Sequence, residues 1–129
     1  NNEGVTGPID YGRHMWALKN KKNQKFLLTQ TFVSRKHMEI FGWFFPKEIK
    51  NWCCDDWYNM VYHPKYLYPL KNHLSVNNGG QPRYNIHNDP KFTGNNKQTF
   101  ANNVNRLRQE TQKLANQHKQ LIEKYIKEH

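Results

Sequence analysis

The chain has 129 residues and carries 20 Lys and Arg against 10 Asp and Glu, a formal net charge of +10. That length suits one compact domain, with an appendage at most, and no run approaches the roughly 20 apolar residues that a membrane span needs. Only 36 % of residues are hydrophobic while 14 % are aromatic, so the core is expected to rest on Trp, Tyr and Phe more than on Leu and Val. The cationic excess fits either an anionic partner (nucleic acid, nucleotide phosphate, acidic glycan or membrane surface) or simply a soluble basic surface.

The first 25 residues carry Gly4, Gly7, Pro8 and Gly12 and then a Lys/Asn run from Lys19 to Lys25. Val5 to Pro8 reads as a strand end entering a turn, and the basic run as an exposed loop. The chain opens on Asn, not Met, which reads as a processed or truncated start whose natural context the sequence does not show. Lys25 to Val33 is apolar and partly β-branched, which predicts a buried strand. Ser34 stands at an N-cap position, Arg35 to Phe41 suits a short helix, and Gly42 suits a left-handed stop.

An aromatic loop, Trp43-Phe44-Phe45-Pro46, leads to Trp52-Cys53-Cys54-Asp55-Asp56-Trp57. Asp55 or Asp56 is expected to begin a helix that runs to about Tyr62 and stops at His63-Pro64. Trp57, Met60 and Val61 form its apolar face. Tyr66 to Leu74 reads as extended, Asn77 to Pro82 as a turn, and Arg83 to Ile86 as a short strand. Cys53 and Cys54 are too close for an ordinary structural disulfide. Free thiols and the lack of an Asn-x-Ser/Thr sequon favour a cytoplasmic location.

From Thr99 the pattern becomes a heptad. Phe100, Val104, Leu107, Thr111, Leu114, His118, Leu121 and Tyr125 alternate in steps of four and three, with no Gly or Pro between them. This predicts one long helix with coiled-coil geometry, packed on a protein partner, on a second copy or back on its own body through residues 100–125. The expected organisation is an α/β body over residues 1–87, a polar linker over 88–98 and the helix over 99–129.

The adjacent carboxylates Asp55 and Asp56 stand out in so basic a chain. Two such charges repel unless a cation, a metal or a helix N-terminus compensates them. One reading makes them helix caps. The other makes one of them a general base facing a cleft, with Trp52 and Trp57 as aromatic walls suited to sugar rings. The same tryptophans also suit a core.

The order of these motifs resembles a known family. The segment Phe32-Val33-Ser34-Arg35-Lys36-His37-Met38-Glu39-Ile40-Phe41-Gly42, then Phe44-Phe45-Pro46, then Asp55-Asp56-Trp57 at a helix start, and a later Arg83-Tyr84 carry it. They look like the acceptor-side half of a GT-A-type nucleotide-sugar glycosyltransferase domain, as in glycosyltransferase-like proteins of protists and large DNA viruses. The resemblance covers about Val5 to Ile86. It implies a partial GT-A-like mixed α/β body that transfers a sugar from a nucleotide sugar to a hydroxyl acceptor, with inversion. Asp56 would deprotonate the acceptor, Asp55 would stand beside it, and Trp52, Trp57 and Arg83 would bind substrate. A divalent metal, Mn or Mg, would hold the leaving diphosphate, with His73 as a candidate ligand. The chain departs from the family in lacking an Asp-x-Asp motif and the Gly-rich nucleotide-binding segments, which upstream residues or a partner would have to supply. The alternative is a non-catalytic basic subunit of a larger assembly, docked through the C-terminal helix and in contact with nucleic acid.

Overall fold

The structure, a computed structural model, describes residues 3–20, 27–49, 53–79 and 97–129, with side chains of the last stretch from Phe100 onward. It is a mixed α/β body. The elements in chain order are β1 (Val5–Asp10), α1 (Tyr11–Lys19), β2 (Phe32–Val33), α2 (Lys36–Phe41), α3 (Cys54–Tyr62), β3 (Leu67–Ser75) and α4 (Lys97–Glu128). The sheet has the order β2-β1-β3, with β2 antiparallel and β3 parallel to β1. Trp52, Arg83, the linker over 88–96 and the strand expected at Arg83 to Ile86 lie outside the described residues.

The stretch expected to turn at Gly7-Pro8 is instead the central strand. Pro8 is tolerated there because β2 pairs only with Val5 and Thr6, so among the described residues no strand lies on that side of β1 at Pro8. The register with β3 also shifts between Pro8 and Ile9, at the point where proline withholds a ladder donor. Pro69 sits on β3, an edge strand, where a missing N–H costs little. Gly7 serves a close approach: a Cβ there would lie 2.1 Å from the Gln30 carbonyl oxygen, so the 27–31 segment can cross β1 only over a glycine. Of the strand expected over Lys25 to Val33, the described residues from Leu27 pair only at Phe32 and Val33, because Leu28 and Thr29 are held over α3 and β1 by side chains.

Helix α1 fills a stretch to which the sequence assigned no element, and it ends where the basic run begins. Asp10 caps it, Oδ1 accepting from the Arg13 N–H at 2.8 Å, and Asn20 closes it with hydrogen bonds to Trp16 and Leu18 carbonyls. Gly42 ends α2 in the left-handed conformation, φ 75°, as expected. Ser34 gives α2 its carbonyl, which accepts from the His37 N–H at 3.0 Å, but its buried hydroxyl makes no cap bond. Helix α3 begins one residue before the carboxylates. Cys53, at φ 75°, precedes it and its carbonyl accepts from the Trp57 N–H at 2.9 Å. Asp55 and Asp56 are therefore second and third residues of the helix, not its cap.

Helix α4 has 32 residues, about 48 Å at 1.5 Å per residue, and it folds back on α3 and α2. Its buried seam is offset from the heptad read in sequence. Val104 and Thr111 are buried as expected and His118 is half-buried, but Ala115 and Ile122, at 0 % and 1 % exposure, take the places expected of Leu114 and Leu121, the latter 43 % exposed. Ala115 is small enough to let α3 approach, so the helix turns toward alanine instead of leucine. Phe41, Trp57, Tyr58, Val61, Tyr62, Ala115 and Ile122 form one core with Val5. Among the described residues no helix is long and apolar enough to cross a membrane.

This phase is directly measurable. Ile122→Ala should lower unfolding free energy by about 2–5 kcal/mol, and Leu121→Ala by about 0.5 kcal/mol or less, in urea denaturation. A larger loss at Leu121 would restore the sequence heptad.

Candidate carboxylate cleft

The first turn of α3 opens into a cleft of about 420 Å³. Asp55 and Asp56 line it with Cys53, Cys54 and Tyr58. Arg13 enters from α1, Thr29 and Thr31 from the segment crossing β1, Phe45 from the aromatic loop and Arg108 from α4. A second cleft, of about 650 Å³, adjoins it. Its wall is rich in amides and hydroxyls, with Thr29, Gln30, Ser75, Asn77 and Asn78 beside Asp10 and Gly12. Arg13, Thr29 and Asp55 belong to both. Asp55 therefore stands where the two clefts meet.

The shared wall is held by side chains that imitate backbone pairing. Asn59 is buried; its Oδ1 accepts from the Leu28 N–H at 2.9 Å, and its Nδ2 donates to the Leu28 carbonyl at 2.9 Å and the Asp55 carbonyl at 2.7 Å. One amide thus ties the crossing segment to the turn that carries Asp55. From the other side, the Thr29 hydroxyl donates to Asp10 Oδ2 at 2.8 Å. Asp10 is occupied on both oxygens by the cap and this bond, so it acts as a strut.

The electrostatics separate the groups. Burial raises the Asp55 carboxyl above its ordinary value, and the Asp56 charge adds to this; local backbone N–H groups and Arg13 oppose without cancelling. A carboxyl so placed holds a proton more readily than a free aspartate and is a better base once ionised. The thiols lose reactivity by the same cause. Burial and then the Asp56 charge raise Cys53, and burial and then Asp55 push Cys54 up to about 11. Neither is a thiolate nucleophile at neutral pH. Tyr58 is raised to about 12, chiefly by burial, and its hydroxyl donates to the Phe44 carbonyl at 2.7 Å.

Other residues expected at a site lie elsewhere. Trp57 is 0 % exposed, at the centre of the core, and presents no face to either cleft. Its Nε1 donates to His118 Nδ1 on α4 at 3.1 Å. His73 lies on the exposed run of β3, outside both clefts. Among the described residues no three His, Cys, Asp or Glu side chains converge as a metal-holding group. Arg13 and Arg108 were not singled out in the sequence, where nothing distinguishes them among 20 basic residues. The Asp10 cap and the 27–31 crossing, which bring Arg13 and Thr29 together, are visible only in three dimensions.

Behind the cleft, buried His37 bridges α2 and α3. Its Nε2 faces the Phe44 carbonyl at 3.1 Å and must carry the proton, so Nδ1 accepts from the Tyr62 hydroxyl at 2.6 Å. No protein-family model, curated protein or solved structure matches the chain.

Burial depresses both His37 and His118 below the ordinary imidazole value of 6.5. Each must be neutral to accept its hydrogen bond. Their contribution to stability is whole above pH 6.5 and is lost as pH falls through the depressed folded-state values. The urea midpoint is therefore expected to drop between pH 7.5 and 5.5, and His118→Gln, which keeps an acceptor for the indole, should flatten the slope. A midpoint that rises on acidification over that range would contradict these assignments.

Proposed function

We propose that the joined clefts are the acceptor side of a sugar-transfer site, in which a hydroxyl of the acceptor attacks the anomeric carbon of a nucleotide sugar with inversion. The observation that carries this reading is Asp55, a partly buried carboxyl of raised basicity, at the junction of a cationic aromatic cleft and an amide-rich one. The amides and hydroxyls of Gln30, Ser75, Asn77 and Asn78 suit a polyhydroxylated acceptor. Arg13 and Arg108 suit an anionic group entering the other cleft.

In this scheme Asp55 accepts the proton of the attacking hydroxyl, and the bond from the sugar to the diphosphate breaks as the new glycosidic bond forms. Asp56 raises the basicity of Asp55 by its charge, while Asn59 and Thr29 hold the walls. This exchanges the parts expected from resemblance, in which Asp56 was the base, because burial and the position between the clefts favour Asp55.

The test is sugar transfer by the protein with nucleoside-diphosphate sugars and a panel of hydroxyl acceptors. Asp55→Asn should slow transfer by about 10²–10⁴-fold. Asp56→Asn removes the charge that raises Asp55, so the acid limb of the pH–rate profile should move to lower pH. Undiminished transfer by Asp55→Asn would sink the assignment.

A further inference from the structure

Helix α1 is built inside out. An ordinary surface helix turns its apolar stripe to the core. Here only Ala17 is buried, while Tyr11, Met15 and Leu18 fall at i, i+4 and i+7 on one outward stripe. Their exposures are 42 %, 44 % and 61 %; Trp16, about 100° round the helix from Met15, is 51 % exposed on its flank. Lys19 closes the last turn next to this stripe, and Arg13 is also exposed.

A tryptophan, a tyrosine, two flexible aliphatic side chains and a flanking cation are the composition of an interfacial helix, whose aromatic rings settle at headgroup depth while cations meet lipid phosphates. A folded protein partner fits less well. A stable protein interface uses roughly 20–30 residues a side, and α1 has nine residues with four large apolar side chains exposed. A lipid surface has no such minimum, since its attraction adds up residue by residue and is reinforced by charge. The chain's net charge of +10 supplies that reinforcement against an anionic leaflet.

We infer that α1 is a peripheral docking element for an anionic lipid surface, with the Tyr11, Met15 and Leu18 stripe entering the headgroup layer, Trp16 at the edge of that face and Lys19 meeting lipid phosphates. The same helix carries Arg13 into the carboxylate cleft, so docking would hold that cleft beside the membrane. The inference stands independently of the sugar-transfer reading.

The 129-residue chain is sedimented with vesicles of phosphatidylserine and phosphatidylcholine, and with vesicles of phosphatidylcholine alone. Binding is expected to the anionic vesicles and to weaken with added salt. Met15→Glu and Leu18→Glu should each weaken it by about tenfold or more, with unchanged melting temperature because both side chains are exposed. No binding to the anionic vesicles, or binding by both variants as strong as that of the unsubstituted chain, would overturn the inference. So would a lipid-free oligomer that dissociates on Leu18→Glu, which would assign the stripe to a second copy of the chain.

Discussion

The packing of Trp57 between α3 and α4 is the constraint on which the rest of the structure depends. Complete burial of an aromatic side chain removes about 150–250 Å² from water, worth roughly 4–6 kcal/mol at 25 cal/mol per Å². An orphaned indole N–H would cost about 1–3 kcal/mol. Burial therefore supplies most of the stabilisation, and the bond to His118 decides how the ring and α4 are oriented. Phe41 and Trp43 close on the same ring with centroids 5.5 Å away. The aromatic content of the sequence is concentrated here, where few aliphatic residues are available.

The cleft inherits its form from this contact. Trp57 follows Asp56 directly, so seating the indole fixes the rotation of α3 and turns its first two acids to the other side, toward Arg13 and Thr29. On α4, Arg108 lies ten residues before His118, and Thr111 lies on the buried seam between them. The same helix–helix contact that buries Trp57 therefore brings a guanidinium to the carboxylates. Burial then acts on the carboxyl at the junction. Asp55, at the junction of the clefts, has its carboxyl raised, while the neighbouring thiols are held protonated.

Much of this frame was legible in the sequence. Gly42 and His63-Pro64 mark the ends of α2 and α3, and the unbroken apolar repeat marks α4. Helix α1 was hidden because Gly12 in its first turn, after Gly7-Pro8, has the look of a loop, and because its apolar residues face outward. The stripe of α4 was misread only at its alternate positions, by one residue, because hydropathy ranks Leu114 and Leu121 above Ala115, whereas close helix approach favours the smaller side chain. The acids of the cleft stood out by rarity. Their basic partners did not, and Trp57 was legible only as either a wall or a core residue until the α4 contact placed it in the core.

The most direct measurement is the titration of the Asp55 side-chain carboxyl, followed by carbon-13 NMR in the intact chain. The account predicts a value above the ordinary 3.8, because burial and the Asp56 charge both disfavour ionisation there. A carboxyl titrating at 3.8 or below would show that Asp55 is an ordinary helix N-terminal acid, and the two clefts would lose the base proposed at their junction.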